Sequence, residues 1–542
     1  MSNNSCAAAA LLALGLSLSW ASREAQAASP DTNPPASEAS HSAAAAQPAQ
    51  HFEVSEYRVV GNSALPGRDI ERLLYPLLGP NKTFADVEAA RTALEKLYHD
   101  QGYGASFVDI PPQTVDEGIV RLRVTEGRIE RTQINGARYF PERDVMAKLP
   151  AATPGTVLQL SKLQSELTAV NNETADRSVV PVLKAGSAPG TVDIALKVDD
   201  SLPLHGSLEV NNQATIDTRE LRSIASVSYG DMFGRMDNLA LQYQFTPQLF
   251  DQVRVFAANY AMHPFDSGLQ PSFTYINSNT NVPAAGTSGV LGIGEIYSAK
   301  LGYPVMSTPS SLQSVSIGAD YKHFRNTINQ NDATALVTPI TYTNLSAEYD
   351  GFWRTGRFST TLSLSADAGP RGLVNNSTTF ANDRYKGEAN YFYLRWDLAT
   401  VIKLPADFSL RLRAAGQGAT EPLITNEDYS IAGIDGVRGY LEAEELGDKA
   451  VKGTIQLTSP GWRHGTHVIG DVYGFYDAAS MSVIEPLAGE PAGITLRSWG
   501  LGFDLLPGEK LTGSVAWAKA LDTASVTKAG SSRALFLLRG TF

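Results

Sequence analysis

The chain has 542 residues, a formal net charge of −12, 18% charged residues and a mean hydropathy of −0.14. Its length allows several domains, while its charged share lies below the ~25% usual for soluble proteins. The acidic charge is spread along the chain, which excludes general nucleic-acid binding, since a phosphate footprint needs clustered Lys and Arg.

Residues 1–27 read as a secretory signal: Ala7–Trp20 is a short apolar stretch and Ala25-Gln26-Ala27 a small-x-small cleavage site. The one cysteine, Cys6, leaves with it, so disulfides, zinc–thiolate sites, iron–sulfur clusters and a cysteine nucleophile are excluded from the mature chain. Residues 28–51 are rich in Ala, Pro and Ser without aromatic or β-branched apolar residues, and predict a flexible leader. No later run of ~18 apolar residues predicts a membrane-spanning helix.

Residues 52–126 predict a small α/β module. A strand, Tyr57–Val60, ends at Gly61-Asn62, and a first helix covers Pro66–Leu78. Thr83-x-x-Asp86 caps a second helix with Phe84, Val87, Ala90, Leu94, Leu97, Tyr98 and Gln101 at helical spacing, and Gly102 stops it. Strands Ala105–Ile110 and Ile119–Val124 follow, in the order β-α-α-β-β. Residues 127–200 repeat that order: strand Ile129–Ile134, Pro141 as the first residue of helix Glu142–Leu149, and a capping box Ser161-x-x-Gln164. That box opens a helix with Leu163, Leu167 and Val170 on one face, before strands Val179–Leu183 and Val192–Val198. Two modules of about 75 residues are an internal repeat in order rather than identity.

From residue 204 to residue 542 the period changes to two. In Tyr391–Leu398, Phe392, Leu394, Trp396 and Leu398 oppose Tyr391, Tyr393, Arg395 and Asp397; Asn238–Thr246 and Phe408–Gln417 alternate likewise. About sixteen such segments have too many apolar faces for one core, but suit a membrane β-barrel with apolar faces toward lipid and polar faces toward a wet lumen. The last segment, Arg533–Phe542, ends on an aromatic residue, as a C-terminal targeting strand of an outer-membrane barrel does, which marks Phe542. Connections alternate short (Pro405-Ala406) and long (Pro422–Lys449).

The long connection holds Gly436-Val437-Arg438-Gly439-Tyr440, and a later segment holds Phe475-Tyr476-Asp477. Along that segment Asp471, Tyr473, Phe475 and Asp477 share one face, which must be luminal because charge on the lipid face is costly. The flanking glycines allow a sharp fold-back at Arg438, whose guanidinium can meet a carboxylate with two parallel hydrogen bonds. An Arg438–Asp477 lock between loop and wall is predicted.

These motifs together resemble the two-partner secretion outer-membrane transporters, the TpsB or haemolysin secretion/activation family of the POTRA-plus-barrel superfamily. Ile110-Pro111-Pro112-Gln113, Gly118 and Val124-Thr125-Glu126-Gly127-Arg128-Ile129 resemble the junction of two POTRA domains. Gln417 to Gly433, with Pro422, Leu423 and Glu427, leads into Val437-Arg438-Gly439-Tyr440 as that family's sixth extracellular loop does, and Phe475-x-Asp477 matches its FxDxG strand motif. Ala479 replaces the motif's glycine, leaving less room for the loop tip. Residues 28–51 are too short and featureless for the plug helix and linker that some members carry.

The resemblance implies a roughly sixteen-stranded outer-membrane barrel (204–542) behind two periplasmic POTRA domains (52–126 and 127–200). It implies a translocator for a large unfolded TpsA-type exoprotein, an adhesin or haemolysin, with outer-membrane lipid around it and the barrel assembly machinery inserting it. Within the modules, the helix faces carrying Phe84, Val87 and Leu94, and Leu163 and Leu167, are candidate cargo grooves, beside sheet edges open to strand addition. Neither a cofactor nor an enzyme is expected: no phosphate loop, HExxH or GxSxG occurs. An assembly factor for other barrels and a passive porin are the alternatives; the first usually carries more POTRA domains and the second carries none.

Overall fold

The computed structural model describes residues 51–542 except 116, 217, 266, 281, 284–289, 329–335, 465–466 and 506–509. The expected signal sequence, with Cys6, and the leader apart from His51 lie outside the described residues. Two compact units divide the chain, one ending at Leu202 and the other running from Pro203 to Phe542.

In the first unit, β1 (Phe52–Val54), β2 (Glu56–Val60), α1 (Gly67–Leu74), β3 (Gly79–Lys82), α2 (Phe84–Asp100), β4 (Phe107–Asp109) and β5 (Ile119–Thr125) form the first module. β5 lies between β2, parallel to it, and β4, antiparallel. The Thr83 capping box is made, with the Thr83 amide 2.7 Å from the Asp86 carboxylate. Helical spacing brings Val87, Ala90, Leu94 and Tyr98 onto one buried stripe, and Gly102, at φ +87°, turns the chain out of the helix. The β1–β3 pair has no sequence signal, because Gly79-Pro80-Asn81-Lys82 lacks any apolar alternation.

The second module holds β6 (Arg128–Asn135), α3 (Glu142–Ala147), α4 (Leu160–Asn172), β7 (Arg177–Ala185) and β8 (Thr191–Asp200), with β8 central. Pro141 is the residue before α3 rather than its first. The expected capping box at Ser161 is not made: α4 opens at Leu160, after Gln159, and no side chain caps it. The Leu160 amide is instead held by the Gly102 carbonyl at 2.8 Å, which draws the helix start onto the end of α2. A Cβ on Gly102 would stand 2.2 Å from the Ser161 hydroxyl and 3.1 Å from its Cβ, and the φ of +87° strains any other residue, so the position favours glycine.

The second unit is a closed antiparallel barrel of sixteen strands. Its first half is β9 (Leu204–Asn211), β10 (Arg222–Met232), β11 (Asp237–Phe245), β12 (Arg254–Ala261), β13 (Gln270–Ser278), β14 (Gly294–Thr308), β15 (Ser311–Ile328) and β16 (Leu336–Thr355). The second is β17 (Phe358–Ala368), β18 (Phe392–Lys403), β19 (Ser409–Ala419), β20 (Lys449–Thr458), β21 (His467–Ser482), β22 (Gly493–Leu505), β23 (Leu511–Ala520) and β24 (Ser532–Thr541). β24 returns to β9, from Leu537↔Asn211 to Thr541↔Ser207, and Arg539 bonds Glu209 across that seam (Nε–Oε2 2.8 Å). Alternation sets the faces. On β20, Val451, Ile455 and Leu457 point outward, while Lys452 is buried inside. On β18, Phe392, Leu394 and Leu398 are exposed and Tyr393 is buried.

Candidate functional site

The lumen is not simply wet: loop 420–448 folds back into it. Gly436 makes the fold-back possible, since a Cβ there would meet the Ile431 carbonyl at 2.2 Å. The Val437 amide then bonds that same carbonyl at 2.8 Å, and Gly439, at φ +101°, turns the chain against Ala518 and Ala520 of β23. Val437 and Tyr440 pack with Tyr429 and Ile431 onto Ala479, Met481, Leu496 and Ala520. The Ala479 methyl therefore serves as the floor under the loop tip rather than crowding it. The Tyr440 hydroxyl donates to the Asp522 carbonyl (2.9 Å) and accepts from the Asp522 amide (3.0 Å).

Arg438 meets Asp477 in a two-pronged contact: Nε to Oδ2 is 2.8 Å and Nη2 to Oδ1 is 2.9 Å. The Arg438 amide adds a 3.2 Å bond to Oδ2, and Nη1 donates to Gln456 at 3.1 Å. The guanidinium carbon lies 3.4 Å from the centre of the Phe475 ring. Asp477 is fully buried and Arg438 is 8% exposed. Strand alternation explains the placement, with Tyr473, Phe475 and Asp477 buried and Val472 and Tyr476 exposed on the other face. In so dry a site, removing one partner strands the other charge, at a cost of about 3–5 kcal/mol.

The base of the same loop is held by Glu427, through residues that local sequence patterns do not connect. Its carboxylate accepts from Lys322 Nζ (2.6 Å), the Tyr342 hydroxyl and the Tyr393 hydroxyl (2.7 Å). Its carbonyl accepts from Arg395 (2.9 Å) and Gln417 (3.2 Å). Four wall strands, β15, β16, β18 and β19, thus converge on one loop residue. The available signal was the inward set Tyr393 and Arg395; nothing local linked it to Lys322 or Tyr342. Further out, Glu444 accepts from the Val526 and Thr527 amides (3.0 and 2.6 Å), and the Glu442 amide donates to the Ala214 carbonyl (3.0 Å).

The candidate cargo residues of the modules need correction. Val87, Leu94, Leu163 and Leu167 are all at most 5% exposed and lie in the cores of their modules rather than on an open groove. Helical spacing of apolar residues had marked the core, as it generally does. Phe84 alone of the five is open, at 66% exposure. Phe542 is exposed, and its backbone exchanges two 3.0 Å hydrogen bonds with Gly206.

At the module junction, the Glu126 carboxylate accepts from the amides of Ser63 (2.6 Å) and Ala64 (2.7 Å) and from the Tyr98 hydroxyl (3.2 Å). Burial pushes its pKa up, but the bonds from Ser63, Ala64 and Tyr98 outweigh burial and hold it below the usual value.

Together, two POTRA-like modules and a sixteen-stranded barrel with a loop locked in its lumen define an outer-membrane transporter of the POTRA-plus-barrel class. Residues 52–127 match the model of the ShlB-type POTRA domain, and residues 190–495, more than half of the chain, match that of the haemolysin secretion/activation proteins ShlB/FhaC/HecB. The chain belongs to that family of two-partner secretion transporters, in which the barrel lies in the outer membrane and the POTRA domains in the periplasm. It is 20% identical to the heme/hemopexin transporter protein HuxB of Haemophilus influenzae (strain 86-028NP) over 72% of this chain and 69% of the relative. It is 20% identical to the outer membrane transporter CdiB of Dickeya dadantii (strain 3937) over 78% and 74%. Among solved structures, CdiB from Escherichia coli shares the fold with a TM-score of 0.58 at 17% identity, over 93% of both chains. BamA from Haemophilus ducreyi lacking POTRA domains 1–3 does so with a TM-score of 0.56 at 14% identity, over 91% of this chain and all of that one.

Proposed function

We propose that this chain recognises one unfolded partner exoprotein in the periplasm through its POTRA modules and passes it outward through the barrel lumen. The observation that carries the proposal is the loop 420–448, pinned inside the lumen at its tip by Arg438–Asp477 and at its base by Glu427. A conduit needs an occupant that is held firmly yet can be released, and a buried ion pair within a polar wall supplies that: it resists leakage, but its charges can be rehydrated once the loop moves.

Two module edges support a docking place away from them. At β7, the outward amide and carbonyl of Val179 are already taken by Asn171 (2.7 and 3.0 Å), and Pro181 has no amide to offer. The Val108 carbonyl of β4 is taken by Arg91 (3.1 Å). Strand addition is blocked at those points of β7 and β4, as natural edges often are, and among the apolar candidates only Phe84 offers an exposed side chain to cargo.

The test compares the proteins released by cells with and without this gene. Loss of one large exoprotein from the medium supports the proposal and names the cargo. A joint decline of many outer-membrane proteins overturns it in favour of an assembly factor.

A further inference from the structure

Away from the tip lock and from Glu427, another ion pair gathers three loops. Loop 369–391 carries a short helix, α5 (Ser377–Asp383), whose start is capped by the Asn376 side chain, 2.8 Å from the Thr378 amide. Its Phe380 is fully buried against Tyr342 and Tyr391, with ring centres 5.5 and 6.0 Å away. Because Tyr342 and Tyr391 are inward residues, α5 sits within the mouth of the barrel. Chain order places this mouth opposite the end where β9 begins, so it is the outer one.

Directly after α5, the Arg384 guanidinium donates to the Leu423 carbonyl (2.9 Å), the Ile484 carbonyl (3.1 Å) and Asp448 Oδ2 (3.2 Å). Asp448 is fully buried and accepts from the amides of the same two residues, Leu423 (2.5 Å) and Ile484 (2.6 Å). Two residues, Leu423 of loop 420–448 and Ile484 of loop 483–492, are therefore each held at the carbonyl by one member of a single ion pair and at the amide by the other. Outside it, Lys386 and Glu485 pair at 3.0 Å between loops 369–391 and 483–492. None of these groups bonds Arg438 or Asp477. Nearly all of the clamp is hydrogen bonding to loop backbone, which water can replace when the loops part.

We propose that Arg384 and Asp448 form a latch across the outer mouth that must open for transport, separate from the tip lock. The inference rests on the translocator reading, but its test needs no cargo. The probe is KCl current through the full-length protein in planar lipid bilayers. Arg384→Ala is expected to increase the open time about tenfold over the unaltered protein, the response to loss of a state-selective contact, and Arg384→Lys to restore only part of the closure.

To separate unlatching from misfolding, Lys386→Cys and Glu485→Cys are added to Arg384→Ala and bridged, after insertion, with a short reducible bis-maleimide. Bridging is expected to abolish the added current and reduction to bring it back. Currents from Arg384→Ala equal to those of the unaltered protein, or an increase that survives bridging, overturn the latch. Either result leaves the secretion comparison to decide the translocator reading on its own.

Discussion

The modules and the barrel bury opposite kinds of residue. In the modules, Val87, Leu94, Leu122 and Leu163 close an apolar interior while charges such as Arg143 and Lys96 lie outside. In the barrel, Ile455, Leu501, Val515 and Trp517 face outward, and Asp477, Glu427, Asp448 and Lys452 are buried. The modules are held by area removed from water, so size and shape at each core position decide their stability. The barrel wall is held by a closed hydrogen-bonded ladder in lipid, and its buried charges serve to position a loop. The contrast is incomplete where that loop sits: Val437 and Tyr440 are fully buried in one apolar cluster with Ala479 and Leu496. A lumen read from alternation alone as water-filled is, at this level, a small protein interior containing one salt bridge.

The sharpest way to break this comparison is at that salt bridge. Arg438→Ala leaves Asp477 buried without its partner and is expected to destabilise the folded, loop-seated barrel by about 3–5 kcal/mol. Arg438→Lys should recover little, since an ammonium cannot reproduce the two-pronged contact. Urea unfolding of the detergent-solubilised barrel measures both; unfolding midpoints equal to the unaltered protein's would mean that the apolar cluster alone seats the loop.

On the other side of the comparison, Leu94→Ala removes a fully buried side chain from the first module. It should cost about 2–5 kcal/mol in urea unfolding of a 52–202 fragment, with the barrel's own unfolding unchanged. A slightly smaller effect is expected from Ile455→Arg on the outward face, about 2–4 kcal/mol near the bilayer midplane. A soluble protein would accept that arginine on an exposed site, so a neutral result in lipid vesicles would contradict the assignment of this face to lipid.

Much of this architecture was legible because it repeats at short range. Period-two alternation in Tyr391–Leu398 assigned each side chain to its face, and glycines beside Arg438 announced a fold-back. Short-range patterns are also ambiguous. The spacing of Val87, Leu94, Leu163 and Leu167 is the signature of a packed stripe and looks the same, in sequence, as the lining of a groove. The Ser161 box obeyed the local pattern, but a tertiary bond from Leu160 to Gly102 set the helix start instead. Arg384 and Asp448 stand 64 residues apart, and Lys322 and Glu427 stand 105 apart. No periodicity spans such distances; only barrel closure and loop packing bring those groups together.

The smallest expected effect lies at the junction of the modules and is read through pH. The Glu126 carboxylate, ordinarily near 4.5, is pushed up by burial and pulled further down by the bonds from Ser63, Ala64 and Tyr98, so its folded pKa lies below its unfolded one. Such a group stabilises the fold above the unfolded pKa, and its contribution is lost as the pH falls through the folded pKa. Thermal stability of the 52–202 fragment should therefore fall as the pH drops below about 4.5, the ordinary value of that carboxylate. Asp86, held low by its bonds from Thr83, contributes in the same direction. Glu126→Gln keeps the shape but cannot titrate, so its melting temperature should fall less between pH 7 and pH 3 than that of the unaltered fragment. The same acid-induced fall in both would show that Glu126 is not what ties the strand end to the Ser63 turn, and that the module interior is held by its apolar stripe alone.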